Sequence, residues 1–270
     1  MRSILWLWLL LSTGPVWGAG LTLEGPATQG GLLVGRIEPG GQVSLEGRTL
    51  RVSPQGVFLL GFGRDAPQKM VLEASYPNGR REQRVLYITP RQYDIQRIDG
   101  LPPSKVTPMG EETLARIRRE AAMVARVRER DDPRQDFLSG FDWPAQGRIS
   151  GVYGSQRILN GQPRQPHYGI DIAAPRGTPV TAPADGVVTM VAPDLYYSGG
   201  TLILDHGHGL SSAFLHLDRI TVAEGQKVRR GEKIAEVGAT GRATGPHLDW
   251  RVNWFEERID PQLLLGPLGR

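Results

Sequence analysis

Glycine and proline interrupt this chain so often that most of its segments are too short for a helix. The sequence holds 35 glycines and 21 prolines among 270 residues. Between them lie apolar and β-branched runs of strand length, bounded by turn signals. This pattern predicts a mainly β protein, with a small β-sandwich-like N-terminal domain, one connecting helix and an all-β C-terminal domain.

The N-terminal domain is predicted over residues 19–98. Its candidate strands cover residues 43–52, 56–62, 69–76 and 84–89. The strongest hairpin signal in the chain, Asn78-Gly79, separates the last two strands. No cluster of His, Asp or Glu stands out in this segment, which favours a scaffold or substrate-positioning role.

A helix is predicted over residues 107–130. Thr107 fits an N-cap, and Pro108 fits the first helical position. Apolar residues recur at helical spacing on one face, namely Leu114, Ile117, Ala121, Val124 and Val127. The stripe favours a connecting helix packed on one domain, while a lid over the C-terminal domain or an arm for an anionic polymer stays open.

The first 18 residues have the layout of a secretory signal peptide. Arg2 precedes eight uninterrupted apolar residues, 4–11, and cleavage is expected after Gly18. Eight apolar residues fall well short of the roughly 20 that a membrane-spanning helix needs. We therefore expect an exported, periplasmic protein with no stable membrane insertion after cleavage.

Charge and cysteine content narrow the function classes. The formal net charge is +4, and no run of five like charges occurs, so no nucleic-acid partner is predicted. The chain has no cysteine. This excludes disulfide scaffolds, cysteine zinc sites, thiol catalysis and lipid attachment through an N-terminal cysteine.

Residues 135–265 form the predicted C-terminal domain and carry the candidate chemistry. His167 and Asp171 are four apart and would share one face of a strand, as would His247 and Asp249, which are two apart. His216 lies in an apolar strand. Histidine and carboxylate are ordinary zinc ligands, so the layout favours a metal site, although each histidine taken alone is more often structural.

The blocks around these residues resemble the lysostaphin/LytM-type zinc metalloendopeptidases of bacterial cell walls, over residues from about 145 to 253. The matching blocks include HYGID at 167–171, APRGTPVTAPADGVV at 174–188, FLHL at 214–217 and GATGRATGPHLDWRV at 238–252. The resemblance implies a LytM-type peptidase fold, one Zn²⁺ per chain and peptidoglycan as the substrate. It also implies His167 and Asp171 as ligands, with His216 and His247 as the catalytic histidines.

The third ligand position departs from the family pattern. The family usually has H-x-H there, whereas this chain has His247-Leu248-Asp249. Asp249 as a ligand would add one negative charge, lower the acidity of bound water and shift the preference toward another divalent metal. The alternative is an inactive LytM-type domain that binds peptidoglycan or activates a cell-wall amidase. Retention of the other four residues favours the enzyme.

Three further patterns have ordinary explanations. His206-Gly207-His208 is a literal H-x-H, but its glycine-rich flanks predict a turn. Residues 182–188 and 224–238 resemble half of a biotinyl/lipoyl carrier domain, but residues 184–225 contain no lysine to modify. Asn160-Gly161 predicts a turn. Loop 196–200 either shapes a groove or is an ordinary turn. The sequence identifies no protein partner.

Overall fold

The computed structural model describes residues 20–99 and 110–265, so the predicted signal peptide lies outside the described residues. Strands predominate in these ranges, and they contain a single α-helix. The mainly β fold class is therefore confirmed. Within the same ranges, no helix combines the length and apolar character that crossing a bilayer requires.

Seven short strands build the N-terminal part as two sheets, one of three strands and one of four. Apolar side chains from both sheets, among them Phe58 and Leu72, join one hydrophobic core. Two small sheets around a shared core agree with the sandwich-like prediction. The strands of this segment are β1 (Thr22–Glu24), β2 (Leu32–Arg36), β3 (Gln42–Leu45), β4 (Arg48–Leu50), β5 (Val57–Gly61), β6 (Lys69–Ser75), β7 (Arg81–Tyr87) and β8 (Ile95–Ile98).

A hairpin replaces the single strand predicted over residues 43–52. Glu46 and Gly47 have φ values of 48° and 77°, and they turn β3 back onto β4. Two successive residues with positive φ form the tight turn that matches the twist of paired strands. Glu46 is not a residue type that announces such a turn, so the prediction of one strand was wrong. The hairpin predicted at Asn78-Gly79 is confirmed by the pairing of β6 with β7.

Helix α1 spans Glu111–Arg128. Its N-cap is Gly110, which has no side chain to cap the helix with a hydrogen bond. The predicted start at residues 107 and 108 lies outside the described residues. Val124 and Val127 pack on a cluster of the C-terminal sheet that includes Met190 and Leu215. The apolar stripe of α1 therefore covers the C-terminal part.

Ten strands of the C-terminal part form one antiparallel sheet. The strands after α1 are β9 (Arg148–Gly151), β10 (Gln156–Leu159), β11 (Gln162–Pro163), β12 (Ile170–Ala173), β13 (Pro179–Thr181), β14 (Gly186–Leu195), β15 (Gly199–Gly207), β16 (Leu210–Ile220), β17 (Lys227–Val228), β18 (Lys233–Val237), β19 (His247–Trp254) and β20 (Glu257–Ile259). The main path of the sheet runs β17-β14-β15-β16-β19-β12-β9, with β13, β18 and β20 attached to it. Short 3₁₀ helices lie at Asp136–Ser139 and Pro261–Leu264.

The two parts are joined by more than the helix. Strand β8 belongs to the N-terminal segment in sequence, yet it pairs in parallel with β10 of the C-terminal part. Arg91 Nη1 donates to the buried Asp260 carboxylate at 2.8 Å. A single hydrophobic core also continues from one part into the other. The N-terminal part is therefore fixed against the part that carries the candidate site.

Candidate metal centre and groove

Two neighbouring strands bring the candidate carboxylates face to face. Strands β12 and β19 pair in a register that sets Asp171 directly opposite Asp249. Cross-strand partners lie close enough for their side chains to meet. A β-carbon at Gly169 would lie 2.6 Å from Asp249 Oδ1, so only glycine leaves room for this carboxylate at that point of the chain.

His167 reaches the site from a loop and not from a strand. The spacing of His167 and Asp171 predicts that both lie on one strand face, but β12 begins only at Ile170. The loop nevertheless brings His167 Nε2 to 3.3 Å from Asp171 Oδ1. The strand premise was wrong, although the two side chains do meet.

His216 and His247 lie side by side at the same site, with ring centroids 4.7 Å apart. His247 is the first residue of β19, and its Nε2 lies 3.8 Å from Asp171 Oδ1. His216 has a φ of 63° at a register break in β16. A positive φ at a non-glycine residue is uncommon, and bulges of this kind redirect a side chain.

Backbone carbonyls fix the protonation of both rings. His216 Nδ1 lies 2.8 Å from the Thr240 carbonyl oxygen, and His247 Nδ1 lies 2.8 Å from the Gly245 carbonyl oxygen. A carbonyl oxygen only accepts, so each Nδ1 carries a proton, and the neutral form of each ring has its lone pair on Nε2. Burial lowers the pKa of His216, although its bond to Thr240 acts in the opposite direction. His216 is therefore neutral near pH 7.

The ligand atoms of His167, Asp171 and Asp249 all lie within 4.8 Å of one another. His167 Nε2 and Asp171 Oδ1 are shielded from solvent, and beyond their 3.3 Å contact with each other neither has a hydrogen-bond partner among the described residues. Buried polar atoms are rarely left unsatisfied unless another group completes them. Burial lowers the pKa of His167, but the carboxylates of Asp171 and Asp249 outweigh it and raise that pKa overall. These residues fit a bound cation.

Asp249 has a partner that sequence reasoning missed. Arg251 Nε donates to both carboxylate oxygens at 3.0 Å, and its Nη2 donates to Oδ2 at 2.5 Å. Asp249 is almost fully buried; burial alone would raise its pKa, but Arg251 lowers it. The signal was present in the sequence, because alternate residues of a strand share a face and Arg251 is two residues beyond Asp249.

Thr240 is a second residue that the sequence argument passed over. Its carbonyl holds His216, while its hydroxyl accepts from the Gly200 amide at 2.8 Å and donates to the Leu217 carbonyl at 2.9 Å. It therefore ties loop 196–200 and β16 to the segment before β19. Nothing in the pattern of single residues marks such a connection.

The site opens into a groove of about 1960 Å³, and α1 forms one wall. One side of the groove is lined by apolar residues of the helix, namely Leu114, Ile117 and Val124. The groove residues near the catalytic candidates include three arginines, Arg128, Arg251 and Arg258. Tyr197 and Ser198 of loop 196–200 line it as well, and Arg157 lies at its edge. Asn160 and Gly161 both have positive φ, as the predicted turn requires.

The literal H-x-H lies elsewhere. His206 is inside β15, and its ring nitrogens contact the Asp185 carbonyl at 2.6 Å and the Ser212 hydroxyl at 2.8 Å. Burial lowers its pKa to about 4. His208 lies in the following turn, where its ring packs against Phe137. Neither belongs to the cation group formed by His167, Asp171 and Asp249.

Comparison with known proteins gives a consistent result. Residues 165–261 match the family described as Peptidase family M23. The chain is 32% identical over 177 residues to the peptidoglycan DD-endopeptidase ShyA of Vibrio cholerae, covering 64% of this chain and 40% of that protein. It is 44% identical over 95 residues to the DD-carboxypeptidase/endopeptidase Mpg of Neisseria meningitidis, covering 35% of this chain and 22% of that protein. The chain thus spans less than half the length of these relatives.

One solved structure is similar over nearly the whole molecule. It comes from Pseudomonas aeruginosa, is provisionally assigned to peptidase M23, and superposes with a TM-score of 0.70 at 30% sequence identity. The alignment covers 89% of this chain and 96% of that one. The similarity therefore includes the N-terminal sheets as well as the groove.

Proposed function

The chain belongs to peptidase family M23, and from this premise we propose that it is an exported, metal-dependent endopeptidase that hydrolyses peptide bonds of bacterial peptidoglycan. The observation that carries the proposal is the cluster of uncommitted atoms in the groove. Beyond their contact with each other, His167 Nε2 and Asp171 Oδ1 have no hydrogen-bond partner among the described residues, and two histidines whose Nδ1 atoms are held by carbonyls lie beside them.

We assign His167, Asp171 and Asp249 as the ligands of one Zn²⁺ ion. When bound at such a site, zinc polarises a substrate carbonyl and lowers the pKa of a water molecule toward 7. The Arg251 guanidinium offsets one of the two carboxylates, so His167, Asp171, Asp249 and Arg251 together carry one net negative charge. A site of two histidines and one aspartate carries the same charge. The departure at Asp249 is thus compensated within the chain.

His216 and His247 supply the proton transfers. Each presents an Nε2 lone pair to the groove, because each Nδ1 is held by a carbonyl. One ring takes the proton from the attacking water, and the other, once protonated, donates a hydrogen bond to the oxygen that gains negative charge. Thr240 holds His216 in place for this role.

The proposed substrate is a peptidoglycan cross-link. Two relatives are named as DD-endopeptidase and DD-carboxypeptidase/endopeptidase, which supports a bond between D-configured centres. A groove of about 1960 Å³ is larger than the roughly 300–1,000 Å³ of small-molecule pockets, which favours a peptide-sized substrate. The leader-like residues 1–18 support export, so we propose that the enzyme works in the periplasm.

Digestion of purified peptidoglycan tests the proposal. The protein is incubated with zinc or with a chelator, and the released fragments are identified by mass. Chelator-sensitive release of split cross-links is the expected result. A folded protein that releases nothing with any divalent metal, but still binds peptidoglycan or stimulates an amidase, would instead support the inactive LytM-type module.

Replacement of the third proposed ligand tests the metal assignment. Asp249→Ala is expected to lower zinc content and cleavage together, because it removes one of three protein ligands. Asp205→Ala, which alters a buried aspartate outside the groove, serves as the control for general damage. Full zinc occupancy and wild-type cleavage in Asp249→Ala would contradict the assignment.

A further inference from the structure

Arg128, at the end of α1, lies in the groove without a counterion. Its Nε is shielded from solvent and has no hydrogen-bond partner, and within the described ranges no ion pair involves this side chain. Burial, together with the positive charges of Arg258 and Arg251, lowers the pKa of Arg128 to about 9. A charge in this position is costly unless something neutralises it.

Two more guanidinium groups face the same place. Arg258 of β20 donates to the Asn253 side-chain oxygen at 3.2 Å and lies over the Tyr168 ring, so its partners are neutral. Arg251 is the one member of the trio that touches a carboxylate, that of Asp249. Three arginines therefore line the same groove, only one of them contacts a carboxylate among the described residues, and their positive charges repel one another.

The excess of positive over negative side chains extends along the groove. Six arginines but only four acidic residues line it. One of the acidic residues, Glu120, already bonds Arg116 and the Tyr196 amide. Of the groove-lining carboxylates, Asp249 contacts this trio and Asp171 acts on Arg251, so the three positive charges exceed these two negative charges. A bound divalent cation would increase the positive charge. The part of the groove around Arg128, Arg251 and Arg258 therefore needs an anion to balance its positive charge.

We propose that Arg128, Arg258 and Arg251 form a subsite for a free carboxylate of the peptide substrate, beside the bond that His216 and His247 act on. The proposal rests on the proposed function and names what its substrate must carry. The planar guanidinium fork matches a carboxylate with two parallel hydrogen bonds. The enzyme would then select peptides that keep a free carboxylate near the bond that is cut.

This assignment gives α1 a definite role. The helix supplies one arm of the subsite, so it acts as a wall of the groove that must stay in place during turnover. The lid hypothesis makes the opposite prediction, because weakening the contact of the helix with the groove would then open the site and raise turnover.

Two substrates and two variants test the subsite. The substrates are a cross-linked stem-peptide dimer with free carboxylates and its carboxamide twin. The variants are Arg128→Gln and Arg119→Gln, the latter an exposed arginine of the same helix. The wild type is expected to have a KM about 10- to 100-fold lower for the carboxylate dimer, with kcat much less changed, since a charge-assisted pair is lost in the twin.

Arg128→Gln should lose most of this preference, while Arg119→Gln keeps it. Removal of an unpaired charge should not lower the Tm of Arg128→Gln, which separates the subsite from a structural role. Equal KM values for the two dimers in the wild type would overturn the proposal. Faster turnover of both dimers by Arg128→Gln would also overturn it, in favour of the lid.

Equilibrium binding keeps this test separate from the test of the peptidase itself. The same labelled dimers are titrated into the metal-free protein. If neither dimer is cut but the carboxylate form binds about tenfold tighter through Arg128, the subsite stands and the endopeptidase proposal fails. If both are cut and bind equally, only the subsite fails.

Discussion

Two short segments of this protein each place two potential metal ligands two residues apart, but only one of the segments contributes to the candidate metal site. His206-Gly207-His208 has the residue types of a metal motif, whereas His247-Leu248-Asp249 departs from them. Gly207 has a φ of 87° and His208 a φ of 49°, so the backbone turns between the two rings and they do not share a face. His247 and Asp249 lie on a regular strand and point the same way.

The two segments show that residue type predicts a metal site less well than the meeting of several ligand atoms at one point in the fold. Both nitrogens of His206 are taken by Asp185 and Ser212. The ring nitrogens of His208 have no partner, but no carboxylate joins them in a group that could hold a cation within the described residues. At the second segment, strands β12 and β19 bring unpartnered atoms from separate parts of the chain to one point.

The largest expected contrast comes from changing one histidine of each kind. His167→Ala should weaken zinc binding by about a thousandfold or more, since each ligand of a zinc site contributes several kcal/mol, and should leave the fold intact. His206→Ala should leave zinc affinity unchanged but lower the free energy of unfolding by about 2–4 kcal/mol, through two lost buried hydrogen bonds and a cavity. Zinc titration and urea unfolding of both variants check the contrast, and exchanged phenotypes would contradict it.

Arg251 sharpens the comparison, because it should matter most when the metal is absent. Arg251→Leu leaves Asp249 as a buried, unpaired carboxylate, which should lower the free energy of unfolding by about 3–5 kcal/mol in chelator. Added zinc should restore much of this loss. Removing both charges, in Asp249→Leu with Arg251→Leu, should cost less than Arg251→Leu alone. Equal losses with and without zinc would show that Arg251 acts independently of the site.

A smaller effect separates the two segments by pH. His206 titrates near 6.5 when unfolded but has a pKa of about 4 when folded, so the unfolded chain binds more protons between these values. Stability should therefore fall as the pH drops from about 6.5 to 4, by roughly 3 kcal/mol from this residue. His206→Gln should reduce that slope in urea unfolding. An unchanged slope would mean that His206 is not the group responsible.

The fold was accessible from the sequence because turns are local. Glycine, proline and Asn78-Gly79 mark the ends of strands, and alternation marks their faces, so the mainly β architecture could be predicted. The turn at Glu46-Gly47 escaped because a glutamate with positive φ leaves no local signal. The parallel pairing of β8 with β10 also escaped, since it joins residues about 60 apart in sequence.

The candidate site was accessible for a different reason. His167, Asp171, His216, His247 and Asp249 could be chosen as a set from motifs, and the structure places them around one groove. The sequence could not indicate which neighbours compensate their charges. Arg251 acts by its place on the strand face, Thr240 by its backbone carbonyl, and Arg128 by the packing of a helix from outside the domain.

The central claim is that Asp249 completes a metal site in place of a histidine. Crystals of the protein grown with zinc, measured on both sides of the zinc absorption edge, test it most directly. We expect one anomalous peak about 2.0–2.2 Å from His167 Nε2 and from oxygens of Asp171 and Asp249. A fully occupied peak at His206 and His208, or one that leaves Asp249 bound only to Arg251, would contradict it.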